Sequence, residues 1–113
     1  MLRIDNNDNI YITKGDSGII NIKLDNLPSG YTDLEFYVRQ SQNLDNIVLQ
    51  LPDVEKGTIS YDSETLTYTM TLLPEATADI KRRSYVYDFK LTGDNVVTTF
   101  IGGDVNKNLF VVT

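Results

Sequence analysis

A chain of 113 residues makes one domain, long enough to bury a core and too short for a second domain. It contains neither cysteine nor histidine, which excludes disulfides, thiolate metal sites, zinc hydrolysis and Ser/His or Cys/His nucleophilic catalysis. Sixteen acidic against ten basic side chains leave a net charge of −6, which repels phosphate backbones and anionic lipid, so neither nucleic acid nor membrane is an expected partner.

The start of the chain, Met1-Leu2-Arg3-Ile4-Asp5, reads as a strand and not as a charged head before an apolar stretch, and no apolar run approaches ~20 residues. Neither a signal peptide nor a membrane span is expected, and synthesis in a cytoplasm is. Leu2 and Ile4 alternate with polar neighbours, and Ile10 and Ile12 resume the alternation after a polar cluster at residues 5–9. Asn and Asp tolerate turn conformations, so this segment predicts a hairpin or bend between short strands. Lys14-Gly15-Asp16 marks a turn, and Ile20, Ile22 and Leu24 then alternate with Asn21, Lys23 and Asp25 up to a turn at Pro28-Ser29-Gly30.

Residues 34–39 predict a strand with Phe36 inward and Glu35, Tyr37 and Arg39 outward. A loop is expected at 41–46, then strands at Ile47–Leu51 and 58–61. Residues 65–72 read Thr-Leu-Thr-Tyr-Thr-Met-Thr-Leu, the period-two pattern of a strand wet on one face. These last three segments predict a meander. Residues 74–80, opening on Pro74 and carrying Glu75 and Ala76, predict one helical turn, too short to be a core helix.

Tyr85, Tyr87, Phe89 and Leu91 alternate through the next strand, a turn at Gly93-Asp94-Asn95 leads into 96–101, Gly102-Gly103-Asp104 breaks it, and Leu109–Val112 closes the domain. Strands roughly every eight to twelve residues predict an all-β, immunoglobulin-like antiparallel β-sandwich with one short helical turn. A helical turn feeding Tyr-x-Tyr resembles a tyrosine corner, with the Tyr85 hydroxyl bonded to the backbone within 77–81 and Tyr87 in the core.

No cofactor is expected. Asp5-Asn6-Asn7-Asp8-Asn9 is the densest oxygen cluster, but a calcium loop of EF-hand spacing needs glycine and glutamate where Ile10 and Asp16 stand, and a self-bonded turn accounts for it. The carboxylate pairs Asp53/Glu55 and Asp62/Glu64 lie in turns with nothing to split their pKa values, so glycosidase chemistry and enzyme activity generally are not expected. Lys81-Arg82-Arg83 is the one concentrated positive charge, suited to a solvated loop or to an acidic surface of an identical subunit. Among seven tyrosines, Tyr31 and Tyr37 are the surface candidates, and Leu109, Phe110 and Val111 form a terminal strand expected at a sheet edge, open to strand addition.

The segment Ile10-Tyr11-Ile12-Thr13-Lys14-Gly15-Asp16, followed by an alternating strand and later by Tyr85-Val86-Tyr87-Asp88-Phe89-Lys90-Leu91-Thr92, resembles virion proteins of phages and prophages of low-GC Gram-positive bacteria. The chain is similar to the immunoglobulin-like amino-terminal module of upper baseplate and fibre proteins. The resemblance implies a non-enzymatic structural role in a virion made in a bacterial cytoplasm: homo-oligomerisation or docking to another virion protein, in a baseplate, fibre or head decoration. A phage-encoded inhibitor of a host factor, which would gather its acids on one face, and a carbohydrate-binding sandwich with aligned tyrosines are the alternatives.

Overall fold

The computed structural model describes residues 1–23, 31–40, 46–93, 96–102 and 108–113. The chain runs β1 (Leu2–Ile4), β2 (Ile10–Ile12), β3 (Gly18–Lys23), β4 (Tyr31–Arg39), β5 (Ile47–Leu51), β6 (Gly57–Asp62), β7 (Thr67–Leu72), α1 (Glu75–Ala78), β8 (Ser84–Gly93), β9 (Val96–Gly102) and β10 (Leu109–Val112). Leu24, the turns at 28–30 and 94–95, the loop at 41–45 and the breaker at 103–104 lie outside the described residues.

Two open sheets result. The larger has the order β1-β2-β10-β8-β4-β5, with β9 pairing β8, and the smaller the order β3-β7-β6. Among the described residues all strand pairings are antiparallel except β2 with β10, which is parallel in the register Phe110↔Ile10 and Val112↔Ile12. The period-two residues of both sheets meet in one core: Ile20, Ile22, Tyr68, Met70 and Leu72 from the smaller, facing Leu34, Phe36, Val38, Tyr87, Phe89 and Phe110 from the larger. Phe36 sits at its aromatic centre, with ring centroids 4.8 Å from Phe89, 5.5 Å from Tyr87 and 5.9 Å from Phe110, tilted or edge-on as ring quadrupoles favour.

Four expectations change. The meander does not form, because β5 pairs β4 in the larger sheet while β6 and β7 form a hairpin in the smaller. Pro52 has no N–H with which to continue the β5 ladder, and Asp53 and Gly57 then exchange both backbone hydrogen bonds, turning the chain across to the other sheet. The threonine-spaced strand starts at Thr67 and not at 65, since Leu66 takes φ 56° in a turn where the Asp62 carboxylate accepts the Glu64 N–H, and Leu66 is exposed. The helical turn does serve the core: Ala76 and Thr77 are buried, and the Thr77 hydroxyl accepts the Gly15 N–H at 2.8 Å. Finally, β10 is no edge strand but lies between β2 and β8.

The tyrosine corner is present as an interaction, with the Tyr85 hydroxyl donating to the Lys81 carbonyl at 2.8 Å. Tyr87 is buried, and its hydroxyl donates to the Asp8 carbonyl, tying the loop between β1 and β2 to the middle of the larger sheet.

Gly57 stands where β6 leaves that crossing. A Cβ there would lie 2.3 Å from the Thr71 carbonyl oxygen and 3.1 and 3.2 Å from the Leu51 methyls. Backbone cannot yield as a side-chain tip can, so Gly57→Ala is expected to cost about 2 kcal/mol, within the range for overpacked sites. A urea denaturation midpoint equal to that of the parent would show that the crossing relaxes freely.

Candidate interaction face

The strand registers place one set of side chains on the face of the larger sheet that points away from the core. Across β5, β4 and β8 the row is Gln50, Tyr37 and Asp88; beside it lie Arg39, Val86 and Leu109, and then Ser84, Val111, Tyr11 and Arg3. On this face Tyr11, Tyr37, Val86, Lys90, Leu109 and Val111 are half-buried, an aliphatic and aromatic surface carrying cations. The Arg3 guanidinium lies 3.9 Å from the centroid of the Tyr11 ring, while Arg39 and the Lys90 ammonium each lie 5.0 Å from that of Tyr37. Such contacts hold the rings in place.

The structure brings together Tyr37, Leu109 and Val111 on this face and removes Phe110 from it. Phe110 is 0% exposed and points into the core, so it is a fold residue. With both edges of β10 already paired, strand addition there is closed. Lys81, Arg82 and Arg83 are exposed in the bend that leads into β8, at one end of the same sheet. Their backbone is pinned by the Tyr85 hydroxyl at Lys81 and by the Val112 N–H donating to the Arg83 carbonyl, while the Arg83 guanidinium lies 5.4 Å from the Tyr85 ring. The side chains of Tyr31, Thr98 and Thr99 lie outside the described part of the protein.

Tyr37 is less open than its outward placement suggests. Its hydroxyl donates to Glu35, and burial first, with that carboxylate second, pushes its pKa up to about 12. Beneath and beside it lies a pair that the alternation does not announce. Arg39 and Asp88, 6% and 5% exposed, form a salt bridge diagonally across β4 and β8, and Arg39 Nε has no hydrogen-bond partner. The expected outward Arg39 is therefore on the outward face but sealed from water, at a bulge between Val38 and Arg39 in the β4–β5 register. The one sequence signal for it was a lone acid, Asp88, between two core aromatics.

The other candidate groups are occupied by their own turns. Asp5 accepts the N–H groups of Asn7 and Asn9, both at 2.9 Å, as well as the Asn9 amide and the Tyr11 hydroxyl, and the Asn9 backbone hydrogen bond leads in lowering its pKa. Asp53 accepts the Glu55 N–H at 2.8 Å, as Asp62 does for Glu64. These carboxylates work as turn caps. Among the described residues no three acidic side chains gather as metal ligands.

Removing one partner of a buried pair leaves the other charge uncompensated, so Asp88→Asn is expected to lose about 3 kcal/mol in chemical denaturation, and Arg39→Met with Asp88→Leu to recover most of it. A single variant as stable as the parent would mean that the pair is hydrated. Because the pKa of Tyr37 is raised on folding, its stabilising contribution is complete below the usual tyrosine value near 10 and fades as pH rises from there through about 12. Burial also raises Tyr68 and Tyr87, so phenolate absorbance should show a late-titrating group of tyrosines from which Tyr37→Phe removes one; amplitude lost near pH ~10 instead would place Tyr37 in open solvent.

Comparison with protein-family models and with curated proteins finds no match to this chain, so what the face does is argued from its geometry and from the sequence.

Proposed function

We propose that this chain is an immunoglobulin-like β-sandwich acting as a non-enzymatic structural module of a phage virion, in a baseplate, fibre or head decoration, where it assembles by docking to copies of itself or to another virion protein. The strand order supports the immunoglobulin-like reading: β2 and β10 run parallel beside each other, β8 and β4 follow, and β3-β7-β6 forms the facing sheet. The tyrosine corner at the entry to β8 belongs to the same plan.

The observation that carries the functional reading is the way the two resembling segments are built together. Residues 10–16 supply β2 and a turn held by Thr77, residues 85–92 supply most of β8, and the Tyr87 hydroxyl bonds to Asp8 just ahead of β2. Around this frame lies a broad sheet face of preset rings and aliphatic side chains, a surface suited to protein contact. The inhibitor alternative calls for acids gathered on one face, whereas Asp5, Asp53 and Asp62 cap separate turns. The sugar-binding alternative calls for open ring faces, whereas Tyr11 and Tyr37 are covered by cations.

Antibodies raised against the chain should detect it in gradient-purified phage particles at a fixed ratio to the major virion proteins. Detection only in the soluble fraction of the lysate would overturn the structural role.

A further inference from the structure

On one flank of the sandwich the larger sheet ends in β1 and the smaller in β3. The two strands meet at Leu2, whose side chain lies so close to Gly18 that a Cβ on the glycine would stand 2.5 Å from Leu2 Cδ1. Leu2 thus seals the core at this seam. Among the described residues β3 pairs only with β7, in an unbroken register from Gly18↔Leu72 to Lys23↔Thr67, so every second residue of β3 turns its N–H and C=O away from the sheet with no strand to receive them.

Proteins blunt such an edge with proline, a bulge, an inward charge or a covering loop. Among the described residues β3 has none of these. Its inward positions are Gly18, Ile20 and Ile22, and Ile19 on the outward face is 60% exposed. The edges of β1, β5 and β6 are protected: β1 is three residues long with Arg3 in its middle, the β4–β5 register breaks at a bulge, and the crossing at 52–56, with Val54 96% exposed, stands on the flank that β5 and β6 share.

We infer that two copies of this chain join at β3, edge to edge and antiparallel about a two-fold axis through Asn21, so that the two smaller sheets become one of six strands. The inference rests on the assembly role proposed above and names its first contact, which leaves the face of Tyr11 and Tyr37 uncovered. In this register β3 is complementary to itself: Ile20 stands opposite Ile22 on the inner side and Asn21 opposite Asn21 on the outer, so apolar meets apolar and amide meets amide. About four to six backbone hydrogen bonds form along the new ladder. The same approach brings the two β1 strands, each with Ile4 47% exposed, toward one another. Charge favours this flank as well. In a chain of net charge −6, Asp16 is held by the Met1 amino group, and the other charges within residues 1–4 and 16–23 are Arg3 and Lys23. Six residues at about 3.4 Å each, across two layers that with their side chains measure roughly 20 Å, give on the order of 400 Å² per copy. Interfaces of ~1,600 Å² range from micromolar affinity to tighter, so about half that area predicts a Kd of ~1 μM or weaker, which copies held side by side in a particle would strengthen.

Sedimentation velocity over a series reaching about 1 mM should show a reversible species of twice 12.8 kDa. Asn21 is exposed and its amide oxygen accepts only the Thr69 hydroxyl among the described contacts, so its replacement spares the core. Asn21→Lys and Asn21→Glu should each weaken self-association at least tenfold, by setting like charges opposite one another at the axis, and an equimolar mixture of the two should associate again. If circular dichroism shows that either variant does not fold, Asn21→Cys decides instead: in a chain without other cysteines it should oxidise to a disulfide-linked dimer, while Ser60→Cys on β6 stays monomeric. A monomer at every concentration, charge variants that associate like the parent, a mixture that fails to associate, or an Asn21→Cys chain that couples no faster than Ser60→Cys would overturn the contact. A monomeric chain nevertheless present in purified particles would sink this inference and leave the virion role standing; a β3-joined dimer missing from particles would do the reverse.

Discussion

Strand β8 has neighbours along its full length, and its middle is enclosed on both faces. β4 takes one edge, β10 and β9 share the other, and the consecutive residues Tyr87, Asp88 and Phe89 are all buried. A strand with alternating polarity tolerates such enclosure only if the polar member of the run finds a partner without leaving the sheet. Arg39 on β4 is that partner. The remainder of the larger sheet is arranged around this requirement: the bulge in β4 at Val38 and Arg39 accompanies the guanidinium, and Tyr37 and Lys90 pack beside the pair.

Hydroxyl groups perform a second, longer-range task. Tyr85 reaches the bend before its own strand, Tyr87 the loop between β1 and β2, and Thr77 the turn at Gly15. Each is buried at the ring or methyl and polar at the tip, so each packs in the core and also satisfies a backbone group of an irregular segment. In a chain without disulfides, these three bonds hold loops at both ends of β2 and the bend before β8 to the sheets. The Asn9 amide oxygen adds a fourth tie by accepting the Leu109 N–H at 2.9 Å.

Period two was enough to read most strands and the residues of the core, because burial on one face writes itself into alternate positions: Phe36, Tyr68, Met70, Tyr87 and Phe89 all lie where alternation puts them. The hydrogen bond from Tyr85 was legible for a different reason, since a helical turn followed by Tyr-x-Tyr fixes both donor and acceptor locally. Sheet membership was not legible. Whether β5 joins β4 or β6 depends on how the chain turns over Pro52 to Gly57, and both outcomes share the same alternation. The buried charge pair escaped because Arg39 and Asp88 are 49 positions apart and each looks like an ordinary outward polar residue.

The place of β10 also has a bearing on synthesis. Residues 109–112 fill the slot between β2, about a hundred positions earlier in the chain, and β8. A nascent chain still lacking them exposes an unpaired edge on both strands, and the β1–β2 hairpin has no strand pairing with the rest of its sheet. Closing that slot joins residues about a hundred positions apart, so chain-closure entropy weighs against the step until the other contacts are in place. Growing chains are thus exposed to pairing with one another on a crowded polysome, and a holdase that shields β2 would act in the interval before residues 109–112 emerge from the ribosome.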